Sequence, residues 1–205
     1  MARTDERGGP QTRARISEVA TRLFLERGFD AVSVAEVARE AGVSSVTVFN
    51  HFPRKEDLFL DRQVDAADLL RRAVRERAEG LDALGSLREL AFRLADDRAT
   101  LSGLDERSGP FFRTVASSPA LIARARAISA DLEQVLAGEL GEVGGASGPA
   151  ALLAPFFIAG YTSVLVASTR RLLAGDPAGS IADDHRARLE DLFLALRQGV
   201  ASPPE

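Results

Sequence analysis

The chain is poor in the residues that most often carry covalent and metal chemistry. Its 205 residues include no cysteine and only two histidines, His51 and His185. The lack of cysteine excludes disulfides and thiolate chemistry. The two histidines are far apart in the sequence and belong to no zinc-binding spacing, and no pair of carboxylates stands in a catalytic context. We therefore expect no catalytic residue, no metal and no cofactor, and we expect that the chain is not an enzyme.

Positive charge is also limited. Lys55 is the single lysine, and the net charge of the chain is −4. Residues 1–55 hold nine basic and seven acidic side chains, whereas residues 56–205 hold 17 basic and 23 acidic ones. The small positive excess at the N-terminal end predicts weak non-specific attraction to DNA, so affinity would depend on a few placed contacts and on a dimer.

The sequence has no apolar N-terminal signal segment, because the first fifteen residues are polar and rich in arginine. We therefore expect a cytoplasmic protein. Residues 149–169 carry no charge, and this length raises the alternative of a membrane span. Pro155, Gly160 and Ser163 dilute the apolar run. We favour a buried helix and expect no membrane partner.

Residues 33–52 have the pattern of two short helices joined by a tight turn. Ser33 and Glu36 stand three residues apart, which is the spacing of a capping box at a helix N-terminus. Gly42 can adopt the positive φ that ends a helix. The spacing of four apolar residues predicts the buried face of the first helix: Val34, Val37, Ala38 and Ala41.

The second helix of this pair presents a mixed polar and apolar surface. Ser44 can cap its N-terminus, and Val48 and Phe52 repeat on its inner face. Its other side chains point wholly or partly outward, and their donors, acceptors and methyl groups suit the major groove of DNA. These outward residues are Ser45, Val46, Thr47, Phe49, Asn50 and His51. The pattern predicts a DNA-binding helix-turn-helix, with a purely structural helical hairpin as the alternative.

Flanking segments complete the predicted N-terminal region. An amphipathic helix over residues 11–27 supplies the third helix of a small core, and Gly28 closes it. A continuous helix is predicted over residues 54–79, after Pro53. Four arginines are predicted to form a flexible arm and first turn that reach phosphate or a minor groove, with a solvated tail as the alternative: Arg3, Arg7, Arg13 and Arg15.

Residues 11–59 resemble the N-terminal domain of the tetracycline-repressor (TetR) family of bacterial transcription regulators, most clearly in the run GFDAVSVAEVAREAGVSSVTVFNHFPRKEDLF. The resemblance implies an all-α homodimer. Residues 1–55 would form a three-helix DNA-binding domain, and residues 56–205 a helical ligand-binding and dimerisation domain. The implied function is a repressor released from a palindromic operator by a small-molecule ligand. A TetR-like activator and a helical protein-interaction module without DNA binding are the alternatives.

The resemblance also implies which residues contact DNA. Four would face bases or the groove wall: Ser45, Val46, Thr47 and Asn50. Others would lie against phosphates: Ser33, Thr47, Phe49, His51 and Lys55. Ser44 is assigned to the same surface. Phe49 stands where the family often has a tyrosine, and Arg54 stands where a serine or threonine often caps the next helix. A lysine at the start of a helix opposes the helix dipole, and a phosphate partner for Lys55 would remove that mismatch.

Apolar periodicity continues to the C-terminus without strand-like alternation. Helices are predicted near residues 84–94, 109–116, 119–140, 149–173 and 181–200, with a glycine-rich mobile loop at 141–148 and a turn at 175–177. The fourth of these segments has two stripes, one of Leu152, Phe156, Ala159, Ser163 and Val166 and one of Leu153, Phe157, Tyr161 and Val164. The last segment has a stripe of Leu189, Leu192, Phe193, Leu196 and Val200. The two segments resemble the family's dimeric four-helix bundle, and two recognition helices about 34 Å apart require a two-fold dimer.

A ligand pocket is predicted where the family builds its cavity. Its candidate residues are Phe92, Arg93, Phe111, Phe112, Phe157 and Tyr161. The pocket would be mostly apolar, and Arg93 would orient an anionic or carbonyl group. Plain core packing for the aromatic residues and a solvated surface position for Arg93 are the alternatives. The sequence identifies no ligand.

Overall fold

The computed structural model describes residues 9–105, 108–144 and 151–199. In these ranges the chain is all-helical, as predicted. The α-helices are α1 (Gly9–Arg27), α2 (Val34–Glu40), α3 (Ser45–His51), α4 (Gln63–Arg75), α5 (Ala83–Asp96), α6 (Gly109–Ser117), α7 (Pro119–Gly144), α8 (Leu153–Ala174) and α9 (Ala178–Gly199). Two 3₁₀ turns lie at Glu56–Leu58 and Thr100–Ser102.

The helices form two compact units. The N-terminal unit holds the described residues of 1–61 together with residues 113–125, and the C-terminal unit holds the described residues of 62–112 and 126–205. The N-terminal unit is therefore larger than the predicted DNA-binding domain of residues 1–55. It includes the end of α6 and the start of α7, which the sequence pattern assigned to the C-terminal domain.

The core of the N-terminal unit is built around Phe24, which α1 buries completely. Its ring lies 5.0 Å from the ring of Phe29 and 5.7 Å from that of Phe59, measured between centroids. Val48 of α3 and Phe52, which follows α3, are also buried, as their spacing predicts. The three helices and the turn after them thus share one aromatic core, which fixes α3 although a seven-residue helix is not stable alone.

Residues 113–125 are attached to this unit by polar contacts. The Ser118 hydroxyl donates to the Asp30 carboxylate over 3.3 Å. The Arg124 guanidinium donates to Asp57 over 2.7 Å, and both side chains of this ion pair are largely buried. Leu121, between them, is fully buried. The segment is an integral part of the N-terminal unit.

The predicted continuous helix over residues 54–79 is wrong. A 3₁₀ turn at Glu56–Leu58 comes first, and α4 begins only at Gln63 and ends at Arg75. The reason is packing, because the adjacent residues Leu58 and Phe59 are both buried. Consecutive side chains point about 100° apart in an α-helix, so a continuous helix does not place both on one side. Phe59 lies just after the 3₁₀ turn, where the helical path is broken, and its ring packs against that of Phe24.

The core of the C-terminal unit is formed by apolar faces of α4, α5, α8 and α9, with Leu136 of α7 fully buried among them. Helices α8 and α9 approach closely at Gly160. A Cβ atom there would lie 2.2 Å from Cδ1 of Leu192, so any other residue at this position requires the Leu192 side chain to shift. The predicted turn at 175–177 is confirmed, since Gly175 ends α8 with φ of 84°.

Buried polar groups join helices of the C-terminal unit. Glu139 of α7 is buried and receives a bidentate pair from Arg75 of α4, with Nη2 at 2.9 Å from Oε1. His185 of α9 is fully buried, and its Nδ1 lies 2.8 Å from the Ser168 hydroxyl of α8. Burial lowers the pKa of His185. Its Nε2 atom has no hydrogen-bond partner within the described ranges.

The remaining predictions about chain organisation have mixed outcomes. The helix α7 extends to Gly144, so the first part of the loop predicted at 141–148 is helical, and the rest lies outside the described residues. Arg3, Arg7 and Val200 also lie outside them. The charge-free run falls mainly in α8, and no helix of the described chain is long and apolar enough to cross a membrane.

Candidate nucleic-acid interface

The N-terminus of α2 has the predicted capping box. The Ser33 hydroxyl accepts from the Glu36 backbone N–H over 3.2 Å, and the Glu36 carboxylate accepts from the Ser33 N–H over 2.8 Å. Arg27 donates to the same carboxylate over 2.9 Å. These hydrogen bonds, led by that from the Ser33 backbone, lower the pKa of Glu36 to about 2. The start of α2 is therefore fixed by residues that its own sequence supplies.

The turn between α2 and α3 is as tight as the sequence predicts. Gly42 has φ of 65°, and the Val43 N–H bonds back to the Ala38 carbonyl over 2.9 Å. Ser44 then caps α3, with its hydroxyl accepting from the Thr47 N–H over 3.0 Å. The Ser44 and Thr47 hydroxyls lie 2.9 Å apart. Two of the predicted DNA-binding side chains thus share a hydrogen bond at the start of α3.

The outer face of α3 carries the side chains that the spacing places there. Val46 and Phe49 are exposed by 69% and 49%, which is unusual for such apolar residues, and Asn50 is exposed beside them. Ser45, Thr47 and His51 are half-buried. An exposed amide can pair with adenine in the major groove, and an exposed apolar side chain can contact a thymine methyl group. The face has the chemistry of a base reader, and the individual DNA contacts stay predictions.

Lys55 has protein partners in this structure. Its ammonium donates to the Phe29 carbonyl over 2.7 Å and lies 4.2 Å from the centre of the Phe29 ring. Burial lowers the pKa of Lys55, and the nearby carboxylate of Asp30 opposes that shift. The residue precedes a short 3₁₀ turn and not an α-helix, so the argument from a helix dipole does not apply. Its phosphate contact stays a prediction.

Arg13 is likewise engaged inside the N-terminal unit. Its Nη1 donates to the carbonyl of His51, the last residue of α3, over 3.0 Å. Its guanidinium lies 4.1 Å from the centre of the Phe52 ring. The sequence pattern assigned Arg13 to an arm that reaches DNA, because its partner is 38 residues away and no local signal announces the contact.

The predicted ligand-binding aromatic residues divide into two groups. Phe157 is buried, and its ring lies 5.9 Å from that of Tyr161 and 6.0 Å from that of Phe193. Phe92 joins this cluster through Phe193, at 6.3 Å. The Tyr161 hydroxyl donates to the Leu101 carbonyl over 3.1 Å, and burial raises the pKa of Tyr161. Phe193 is a member of this cluster that the prediction missed.

The other predicted ligand residues lie in different surroundings. Phe111 and Phe112 of α6 are half-buried, with their ring centroids 5.4 Å apart. Arg93 is exposed and lines a groove of about 520 Å³ between α4 and α5, which Arg72 and Arg77 also line. A much smaller cavity of about 10 Å³, beside Gly103 and Leu172, has room for about one water molecule.

Comparison with known proteins shows which family the helix-turn-helix resembles. Residues 16–61 match the profile of the bacterial regulatory proteins of the tetR family. This match contains the capping box, the Gly42 turn and the whole outer face of α3. The helix-turn-helix region of the chain is therefore of the tetR family. The resemblance noted from the sequence is thereby confirmed.

Several helix-turn-helix transcriptional regulators are similar to this chain over part of their length. The probable transcriptional regulator ArpR of Pseudomonas putida is 34% identical over 100 residues, which are 47% of each chain. The regulator TtgR, also of Pseudomonas putida, is 33% identical over the same length and share. AcrR of Shigella flexneri is 41% identical over 59 residues, 29% of this chain and 27% of its own. The similarity thus spans about half of these relatives or less.

Solved structures are similar over nearly the whole chain. The SmeT–triclosan complex superposes with a TM-score of 0.60 at 20% identity, covering 95% of this chain and 98% of SmeT, and it shows the shared fold. FadR of Thermus thermophilus in complex with lauroyl-CoA has a TM-score of 0.52 at 25% identity, covering 94% and 97%. The all-helical architecture of the tetR family therefore extends beyond the matched N-terminal profile.

Proposed function

We propose that this tetR-family chain is a sequence-specific DNA-binding transcriptional regulator whose helix α3 reads the major groove. The observation that carries the proposal is the outer face of α3, where Val46, Phe49 and Asn50 are exposed while Val48 is completely buried. Val46 and Phe49 are neighbours at i and i+3 on one helix face, and an exposed apolar patch of this kind beside an amide marks an interaction site. Ser44, Thr47 and His51 flank this face and are suited to phosphate contacts.

The proposed regulator acts as a homodimer through α8 and α9. The α8 stripe of Leu152, Phe156, Ala159, Ser163 and Val166 is exposed along its whole length, whereas Leu153, Phe157 and Val164 of the second stripe are buried in the unit. Leu194 of α9 is exposed by 57%. A contiguous apolar stripe of this size marks an interaction surface. A second copy of the chain would cover it and bring two α3 helices to one operator.

A small-molecule effector is the third part of the proposal. The FadR and SmeT structures contain lauroyl-CoA and triclosan, and we extend ligand binding to this chain by their similarity. Helix α6 supports a route for the signal. Phe111 and Phe112 lie in the C-terminal unit, whereas the rest of α6 from Arg113 onward belongs to the N-terminal unit. A ligand that displaces those rings acts on a helix shared with the DNA-binding unit, and coupling of this kind is typically about 1–3 kcal/mol.

The test is a selection of binding sites from a random pool of DNA duplexes, followed by sequencing of the retained duplexes. We expect a palindrome whose half-sites are about one helical turn apart. The Asn50→Ala variant should bind the selected site about tenfold or more weakly and lose preference at one base pair of each half-site. Gln134→Ala, which removes an exposed amide from α7, is the matched control and should bind as the wild type does.

Each other outcome of this selection has a definite meaning. Retention without a common sequence would show a non-specific DNA binder and contradict the base-reading role of α3. No retention at any salt concentration would leave the helix-turn-helix as a structural hairpin in a protein-interaction module. A transcription assay on the selected operator then separates a repressor from an activator.

A further inference from the structure

The C-terminal end of α3 lacks a left-handed capping residue of its own. Many helices end on a residue in the left-handed conformation, usually glycine, whose N–H bonds back to the last carbonyls. Phe52, which ends α3, has φ of −136° and ψ of 95°. This extended conformation follows from Pro53, since the residue before a proline is pushed away from helical angles. Carbonyl groups of the last turn of α3 therefore need donors from elsewhere.

Arg13 of α1 supplies such a donor. Its Nη1 atom reaches the His51 carbonyl over 3.0 Å, and its charge lies at the negative end of the α3 dipole. The same guanidinium lies 4.1 Å from the centre of the Phe52 ring, and Phe52 is almost completely buried. One side chain thus holds both the last carbonyl of α3 and the aromatic residue that anchors α3 to the core.

The opposite end of α3 is fixed in a different way. Ser44 caps it within the same turn of chain, through hydrogen bonds to the Thr47 N–H and hydroxyl. The N-terminal end is therefore set locally, and the C-terminal end is set by α1. Because α3 has seven residues and is not stable alone, the contact to α1 adds to the burial of Val48 and Phe52 in holding α3 in place.

We propose that Arg13 is a positioning residue for DNA recognition, which orients α3 by binding its C-terminal end and does not itself contact DNA. This inference rests on the proposed function of α3 as a base reader. It assigns to Arg13 a role different from that of Arg15, which is exposed on the same helix and is free to lie near phosphates.

The experiment measures operator binding of Arg13→Ala, Arg13→Gln and Arg15→Ala as a function of salt concentration, using the selected duplex. It also measures amide hydrogen exchange at Phe52, whose N–H bonds to the Val48 carbonyl at the end of α3, in the absence of DNA. Arg13→Ala should weaken operator binding about tenfold, because a hydrogen bond from a charged donor is lost at the reading helix. The slope of log affinity against log salt should remain that of the wild type, and exchange at Phe52 should become faster.

The glutamine variant separates the two roles of the side chain. It removes the charge but keeps an N–H donor, so a positioning residue should retain part of the affinity and protection of Phe52, with an unchanged salt slope. A phosphate contact would behave differently, because each one lost makes the slope shallower by about 0.9. A shallower slope in both Arg13 variants, or unchanged exchange at Phe52, would overturn the proposal.

Arg15→Ala is the control for removal of a nearby charge, and its exchange at Phe52 should equal that of the wild type. If the wild-type protein retains no duplex, the proposed function fails. The exchange measurement, which needs no DNA, then still decides whether Arg13 holds the end of α3.

Discussion

Replacing Lys55 with methionine tests whether its ammonium holds the N-terminal unit together or binds DNA. Methionine keeps a flexible apolar stem over the Phe29 ring and removes the donor to the Phe29 carbonyl, which lies 2.7 Å away. A hydrogen bond from a charged group contributes about 1.5–3 kcal/mol, and a half-exposed cation–π contact about 0.5–1 kcal/mol. The variant also avoids the free-energy cost of partly burying the ammonium, and this offsets part of the loss. We expect a net destabilisation of about 1–2 kcal/mol.

The assay is urea denaturation followed by circular dichroism, with the midpoint and slope fitted for wild type and variant. If the two units unfold in separate transitions, the transition of the N-terminal unit should move and the other should not. Arg54→Met is the matched control, since it removes an exposed cation from the neighbouring position. The control should leave the midpoint unchanged within error.

Operator binding by the same variants, measured as a function of salt concentration, tests the alternative that Lys55 binds a phosphate. If the Lys55 ammonium binds the Phe29 carbonyl and not a phosphate, Lys55→Met should lower the free energy of unfolding without changing the salt dependence of DNA binding. Unchanged stability with a salt slope shallower by about 0.9 per subunit would refute this reasoning. That outcome would establish the phosphate contact that the family resemblance implies.

Three further predictions follow from other parts of the chain. Phe156→Glu places a charge on the exposed stripe of α8 and should convert the dimer to monomer in analytical ultracentrifugation, whereas Gln134→Glu, which places a charge on the exposed surface of α7, should not. Ser33→Ala should cost about 1 kcal/mol of stability through loss of the α2 cap. It should also reduce, in part, the loss of stability that wild type shows as pH falls from 4.5 toward 2: the Ser33 hydroxyl is one of the donors that lower the folded pKa of Glu36, and the Ser33 backbone N–H and Arg27 remain. His185 has a lowered folded pKa, so the unfolded chain takes up its proton first and unfolding free energy should decline as pH falls below 6.5; His185→Gln should flatten that decline in urea titrations.

Local signals in the sequence were sufficient for the geometry of the helix-turn-helix. The Ser33–Glu36 capping box, the positive φ of Gly42 and the division of α3 into buried and exposed faces all depend on residues within one or two helical turns of each other. Periodicity likewise separated the exposed and buried stripes of α8. These features are set by backbone geometry that adjacent residues determine.

Contacts between distant residues could not be predicted in this way. Arg13 and Lys55 have the composition of DNA-contacting cations, yet their partners lie 38 and 26 residues away along the chain. The sequence pattern also continued one helix through residues 54–79, because helical periodicity does not show that Leu58 and Phe59 must both enter the core. Phe193 escaped notice as a neighbour of Phe92 and Phe157 for the same reason: its position depends on how α5, α8 and α9 pack.

The attachment of residues 113–125 to the N-terminal unit bears on how regulators of this kind can be recombined. A fragment that stops at Asp61 would leave Asp30 and Asp57 without Ser118 and Arg124, and it would lack the buried Leu121. Transplanting the helix-turn-helix onto a foreign effector domain thus requires two stretches of chain that are far apart in sequence. A chimera joined at a single point after Asp61 would carry α3 in an N-terminal unit whose residues 113–125 had been replaced by those of another protein.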